Sequence, residues 1–216
     1  MSQFDSKFYD FFTHPDSPEP MVTLAKKYGY SGIVVTNLKV NDIILPDDFS
    51  IYKGVEIRTK SSRIREEIKK YRDSNIISIV RGGEEDINRA SLESDGLDIL
   101  LQPSEFNNVL AKAASDNSIA IGFNLGLLIR QRGDARIKEL KNMRIILKHA
   151  RKYKLKMILT SDSGSIYDLR SPREMVAISS LFGMTPSEAI DAMSATPESI
   201  LRRKSPDYIK EGIEII

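Results

Sequence analysis

Short, continuously apolar runs alternate with stretches of helical periodicity along most of the chain. Seven runs read as strands: Phe8-Tyr9-Asp10-Phe11-Phe12, Ile33 to Thr36, Ile51 to Ile57, Ile76 to Val80, Leu97 to Leu101, Ile119 to Phe123 and Leu155 to Thr160. They lack the alternation of a half-exposed sheet, as expected of strands covered on both faces. Between them, apolar residues recur at spacings of three and four. Met21, Leu24, Ala25 and Tyr28 define a helix opened by Ser17-Pro18, with Gly29 past its end. Ile64, Ile68 and Tyr71 mark a second helix over 62–71, and others span 84–94 and 106–115. A long helix from Asp134 to Tyr153 turns Leu140, Met143, Leu147 and Ala150 inward. Three more helix starts share a hydroxyl followed by proline: Ser171-Pro172, Thr185-Pro186 and Thr196-Pro197. Glu174 and Glu188 complete capping boxes at the first two.

This alternation predicts an α/β fold. The expected form is a single TIM-like βα barrel, closed or nearly so, with about seven parallel strands, outer helices and right-handed crossovers. A doubly wound open sheet is the competing architecture. The 216 residues suit one domain, assigned to 1–204, because no linker, repeat or low-complexity tract divides them. Residues 205–216 form a C-terminal tail with Pro206, Ile209, Ile213, Ile215 and Ile216; the sequence leaves open whether it frays or packs on a partner.

The chain has no cysteine, which excludes a disulfide framework, a thiolate zinc site, an iron–sulfur cluster and a cysteine nucleophile. It agrees with a cytoplasmic location. No apolar run approaches the roughly 18 residues of a membrane span, and the N-terminus does not read as a signal peptide. A net charge of +2 is no argument for nucleic acid, but its distribution is uneven. Residues 1–50 hold 7 acids against 4 bases, whereas residues 130–156 carry a formal charge of +9. Such asymmetry fits a polyanionic partner, and equally a solvated helix face.

In a barrel the active face collects the loops at the C-terminal strand ends. Those positions hold Phe12-Thr13-His14, Asn37, Arg58, Arg81-Gly82-Gly83, Gln102, Asn124 and Ser161-Asp162-Ser163. There is no dinucleotide fingerprint, Walker A loop, HExxH or GxSxG. His14, Glu56 and Asp162 could supply three metal ligands, which is thin provision for a hydrolytic multinuclear centre. Each also reads neutrally, as a loop residue, an ion-pair member and a turn cap. Arg170 and Arg173 flank the helix start at Ser171, where their charge is unfavourable unless an anion docks. The other reading pairs them with Asp168 and Glu174. The glycines after Arg81 allow close approach by a ligand, or make a plain tight turn. Arg130 and Arg132 precede the long helix, whose outer side carries Lys141, Arg144 and Lys148; arginine forks suit phosphodiester oxygens.

Several segments also carry a resemblance: Ala120-Ile121-Gly122-Phe123-Asn124-Leu125, Leu159-Thr160-Ser161, Asp168-Leu169-Arg170-Ser171-Pro172-Arg173, Leu181-Phe182-Gly183-Met184 and Ser194-Ala195-Thr196-Pro197. With them the chain resembles the archaeal ribonuclease P protein component 3 family, homologous to the thirty-kilodalton subunit of the eukaryotic enzyme. That family is similar to the polymerase-and-histidinol-phosphatase (PHP) metal-dependent phosphoesterases, which have a βα barrel. Their His-x-His motif falls on Phe12 and His14, their Gly-x-Glu on Gly54-Val55-Glu56, and their late Asp-x-His on Asp162-Ser163-Gly164. Arg81-Gly82 and Gln102 fill the middle histidine positions. One histidine of the first motif, the histidine of the last and the middle histidines are therefore replaced, and His14, Glu56 and Asp162 are vestigial positions rather than a metal site.

The resemblance implies a noncatalytic subunit of the ribonucleoprotein that removes the 5′ leader of precursor tRNA. The catalytic site and the required Mg2+ belong to the RNA, and no cofactor is expected on this chain. The implied partners are the ribonuclease P RNA, component 2 in a heterotetramer, and the other ribonuclease P proteins, with no membrane. The RNA-binding set expected from both lines is Arg58, Arg81, Arg130, Arg132, Lys141, Arg144, Lys148, Arg170 and Arg173. A PHP-type phosphoesterase and a noncatalytic scaffold are the alternatives.

Overall fold

The computed structural model describes residues 6–36, 45, 47–205, 208–210 and 213–214. Asn37 and most of the connection after it lie outside the described residues. Seven strands form one sheet in sequential order: β1 (Phe8–Thr13), β2 (Tyr30–Thr36), β3 (Ser50–Ile57), β4 (Ile77–Arg81), β5 (Ile99–Leu101), β6 (Ala120–Asn124) and β7 (Met157–Thr160). Every adjacent pair is parallel. Around them lie α1 (Pro18–Lys27), α2 (Ser61–Lys69), α3 (Glu85–Leu92), α4 (Asn108–Asp116), α5 (Leu125–Arg130), α6 (Gly133–Tyr153), α7 (Pro172–Ser179), α8 (Pro186–Asp191) and α9 (Ala195–Arg203).

Sequential parallel order makes the sheet a barrel rather than a doubly wound sheet, in which strand order reverses. The seam lies between β1 and β7. At its upper end Thr13 bridges to Ser163, and His14 N–H donates to the Ser163 carbonyl at 2.9 Å. At its lower end the backbone of Ala192 and Met193 enters the gap. Tyr9 N–H donates to Met193 at 2.8 Å, and Leu159 N–H donates to Ala192 at 3.1 Å. The turn after α8 thus closes what the strands leave open.

Two apolar layers explain the unbroken hydrophobic runs. Phe11, Val34, Ile79, Ile99, Leu101 and Ile158 fill the barrel interior, and Ile200 of α9 plugs its lower end. Met21, Ile64, Leu110, Met143 and Met175 pack the helices against the outer strand faces. An ion pair holds the plug: buried Asp98 meets Arg203 at 2.9 Å and Lys204 at 3.1 Å. The capping boxes at Ser171 and Thr185 both form.

Two elements differ from the sequence expectation. Residues 125–130 form α5, where no helix was expected; the Asn124 side chain caps it by accepting from Leu127 N–H at 3.2 Å. The third hydroxyl–proline start lies inside α9, which begins one residue before Thr196 with Ser194 as its N-cap. In the tail, β8 (Tyr208–Lys210) and β9 (Ile213–Glu214) pair antiparallel. Among the described residues no helix is long and apolar enough to cross a membrane.

Candidate functional site

The upper strand ends bring His14, Glu56, Arg81, Gln102, Asn124 and Asp162 to one face. Asp162 is the hub. Its Oδ1 faces His14 Nε2 at 3.3 Å and accepts from Arg81 Nη2 at 3.0 Å. Its Oδ2 accepts from Asn124 Nδ2 at 2.8 Å and Arg130 Nη2 at 2.6 Å. Arg130 Nη1 also donates to the Asp162 carbonyl at 3.1 Å. Burial alone would push the Asp162 pKa up. The bonds from His14 and Asn124 and the charge of Arg81 outweigh it and hold the carboxyl well below the usual carboxylate range. Asp162 adopts φ +52°, and Gln102 adopts φ +51°. Such left-handed backbone away from glycine persists only where surrounding contacts over-determine it, as they do here.

Arg81 is the second centre. Its Nε donates to Glu56 Oε1 at 2.6 Å while Nη2 reaches Asp162. Its guanidinium lies 5.1 Å from the Phe12 ring centroid, a cation–π distance. The other Glu56 oxygen pairs with Arg58 at 2.8 Å. The result is a chain of alternating charge: Arg58, Glu56, Arg81, Asp162, Arg130. The two carboxylates are 8% and 5% exposed, whereas Arg58 is 66% exposed and Arg130 42%. Negative charge is therefore inside and positive charge at the rim. The Asp162 hydrogen bond, opposed in part by burial, raises the His14 pKa.

Gln102 turns the other way. Its Oε1 accepts from Asn124 N–H at 2.8 Å, and its Nε2 donates to Glu139 of α6. It ties β5 and β6 to the long helix. The close approach allowed by Gly82 is made by the chain itself, since a Cβ there would lie 2.6 Å from Pro103 Cα.

His14, Glu56 and Asp162 thus come together, but they do not fit a metal. Both carboxylates are aimed at the Arg81 guanidinium, and His14 is the single imidazole present. Among the described residues no cluster of three His, Asp or Glu is arranged to hold an ion.

A family profile described as RNase P subunit p30 matches residues 7–206. The chain belongs to that family. It is 41% identical to ribonuclease P protein component 3 of Methanosarcina acetivorans, covering 97% of this chain and 96% of the relative. It is 32% identical to the component 3 of Methanothermobacter thermautotrophicus over the same shares of the two chains. A chain in the cryo-EM structure of archaeal ribonuclease P with mature tRNA matches with TM-score 0.79 and 26% identity, covering 95% of this chain and 97% of that one. The A. niger ochratoxinase matches with TM-score 0.64 and 11% identity, covering 97% of this chain and 75% of that one, which is a likeness of fold alone.

The other six basic residues of the expected set in this p30-family chain lie outside the mouth cluster. Lys141, Arg144 and Lys148 lie exposed along α6. Arg144 donates to the Leu181 carbonyl at 3.0 Å, while Lys141 and Lys148 meet no acidic side chain among the described residues. Arg132 precedes α6 and donates to the carbonyls of Ile129 and Gln131 at 2.5 and 2.9 Å. Arg170 and Arg173 flank the start of α7. There the Glu174 carboxylate already accepts from Ser171 N–H at 2.7 Å, so the helix supplies its own anion. Arg170 folds onto the carbonyls of Tyr167 and Leu169, both at 2.8 Å. Asp168 accepts from Ser165 N–H and Oγ at 3.0 and 2.9 Å.

Sequence reasoning missed what Arg130 does at the mouth, because α5 was not foreseen. The signal was present: an Asx cap followed by Leu125-Gly126-Leu127-Leu128-Ile129. Gly126 is required, since a Cβ there would lie 2.2 Å from the Ser161 carbonyl. Asp10 was missed as well. It is buried and accepts from Ser161 N–H at 3.2 Å and from Thr160 Oγ1 at 2.5 Å, fixing the segment that carries Asp162. Burial pushes its pKa up against those bonds.

Proposed function

We propose that this chain, a ribonuclease P protein subunit by family, performs no chemistry of its own and serves as a phosphate-contacting support for the catalytic RNA. The observation that carries this reading is the barrel mouth, where arginines stand at the rim and both carboxylates beneath are spent on holding them. Arg58 and Arg130 are both exposed beyond their carboxylate contacts. The exposed lysines of α6 extend the cationic surface. Contacts of this kind position a folded RNA and offset its self-repulsion without reading its sequence.

In this reading the ribonucleoprotein cleaves the 5′ leader of precursor tRNA at its RNA, which also holds the Mg2+, and works in the cytoplasm. Component 2 joins the chain in a heterotetramer, and the other ribonuclease P proteins complete the assembly. Family membership and the likeness to a chain of the archaeal enzyme with tRNA support these assignments. The test is precursor-tRNA cleavage reconstituted from the RNA and the companion proteins, with and without this chain. Stimulation at limiting Mg2+, with no cleavage by the chain alone, is the expected result. Cleavage by the purified chain, or no stimulation, refutes the proposal.

A further inference from the structure

An aromatic ring gains much by leaving water, so a ring that a well-held loop keeps in solvent points to a partner. Tyr167, on the loop between β7 and α7, is such a ring. It is 83% exposed, and Tyr28, the next aromatic among the described residues, is 36% exposed. Its ring and hydroxyl meet no hydrogen-bond or ring partner among the described residues. The backbone beneath it is nonetheless fixed. The loop leaves the barrel through Ser163, which bridges to Thr13, and Arg130 Nη1 holds the Asp162 carbonyl at 3.1 Å. Asp168 N–H donates to the Ser165 carbonyl at 3.1 Å, and the Asp168 carboxylate accepts from Ser165 in return. Arg170 Nη1 donates to the Tyr167 carbonyl at 2.8 Å, and the hydroxyl of buried Tyr30 donates to the Arg170 carbonyl at 2.8 Å. The same turn that sends Leu169 into the core sends Tyr167 out.

Charge decides what a ring in this place meets. Arg130 holds the start of the loop and Arg170 lies against the carbonyl of Tyr167 itself, so the ring stands between two cations. An unpaired nucleotide offers a flat π face joined to a phosphate, and one such group answers both features. We propose that Tyr167 is the platform on which an unpaired base of the bound RNA stacks, with Arg130 and Arg170 supplying charge to its backbone. This rests on the RNA-contacting reading of the barrel mouth and extends it from phosphates to a base. A base inside a duplex has both faces covered, so the platform selects a loop, bulge or end of the RNA rather than a helix. Every base has a π face, so it selects little by sequence. Because the loop is already held, binding orders the side chain alone, and little of the stacking energy is lost to ordering.

The test uses the full chain assembled with its companion proteins and the ribonuclease P RNA. The chain has no tryptophan, so Tyr167→Trp places a single indole at the site. Its emission is read as the difference between the Tyr167→Trp and wild-type assemblies. Adding the RNA should quench it saturably, since stacking on a base quenches indole, whereas a fully paired RNA duplex should leave it near its starting level. Filter binding across salt concentrations then compares Tyr167→Ala and Tyr167→Phe with wild type. Tyr167→Ala should bind roughly tenfold more weakly with the salt slope unchanged, because a lost stack releases no counterions, and Tyr167→Phe should match wild type. The side chain is in solvent, so each variant should melt within about 2 °C of wild type. If wild type binds the RNA and Tyr167→Ala binds it equally well, the stacking role is refuted while the RNA-contacting reading stands. If wild type neither binds the RNA nor stimulates cleavage, both fall. A change of indole emission on adding the companion proteins before any RNA, with no further quenching by RNA, would overturn the proposal in favour of a protein interface.

Discussion

Replacing Asp162 by asparagine keeps the size of the side chain and removes the charge on which Arg81 and Arg130 converge. The Asp162 side chain is 5% exposed and Arg81 is 27% exposed, so this is a largely buried pair. Arg130, at 42%, is half in solvent and its share is small. Removing one partner of a buried pair costs about 3–5 kcal/mol. Since Arg81 keeps Glu56, the lower end applies, about 3 kcal/mol. For a domain of this length each kcal/mol moves Tm by roughly 2–4 °C, so Asp162→Asn should melt roughly 6–12 °C below wild type at neutral pH. The pH dependence has a definite sign. The folded pKa of Asp162 is depressed, so its stabilisation is present above the unfolded value near ~3.9 and is lost as pH falls through the folded pKa. The gap between the two proteins should therefore widen slightly from pH 8 to 6, as protonation of His14 stabilises wild type alone, and close only in strong acid. Differential scanning calorimetry across that range is the assay. A Tm difference below about 2 °C, or a gap that already closes between pH 8 and 6, would refute the reasoning.

Three further outcomes are expected. The His14 ring should titrate above the ordinary imidazole value by NMR, and Asp162→Asn should bring its midpoint down, because the Asp162 hydrogen bond raises it; the small stability it adds is complete below the unfolded pKa and fades as pH rises through the folded one. Gly126→Ala should destabilise by about 2 kcal/mol in urea, since its Cβ would lie 2.2 Å from the Ser161 carbonyl, whereas Gly83→Ala meets only Ile87 Cδ1 at 3.8 Å and should be nearly neutral. If Lys141 and Lys148 contact phosphates, converting both to alanine should flatten the salt dependence of RNA binding by roughly two units of slope, measured by filter binding, with the fold intact by circular dichroism.

The barrel was legible because its determinants are local and repeated. Strands buried on both faces must be apolar throughout, and helices between two layers must show a three-and-four spacing. The capping boxes at Ser171 and Thr185 were legible for the same reason, since their partners sit three residues apart. The helix α5 escaped because six residues are too few for periodicity to stand out beside β6. The third helix start was misplaced by two residues: the helix takes Ser194 as its N-cap although that hydroxyl donates back to the Ile190 carbonyl, so no capping signal marks the true start. The candidate site was half legible: His14, Glu56, Arg81 and Asp162 were all picked out, but their relation was not.

The sequence by itself determined the order and kind of the elements, the parallel barrel they form, and which polar residues stand at its mouth. Only the tertiary structure decided what those residues are to one another. Glu56, Arg81 and Asp162 are separated by 25 and 81 positions along the chain, and no local pattern links them. Barrel closure brings their strand ends together and places one cation, the Arg81 guanidinium, 2.6 Å from Glu56 and 3.0 Å from Asp162. Arginine supplies that cation only because β4 ends within reach of both.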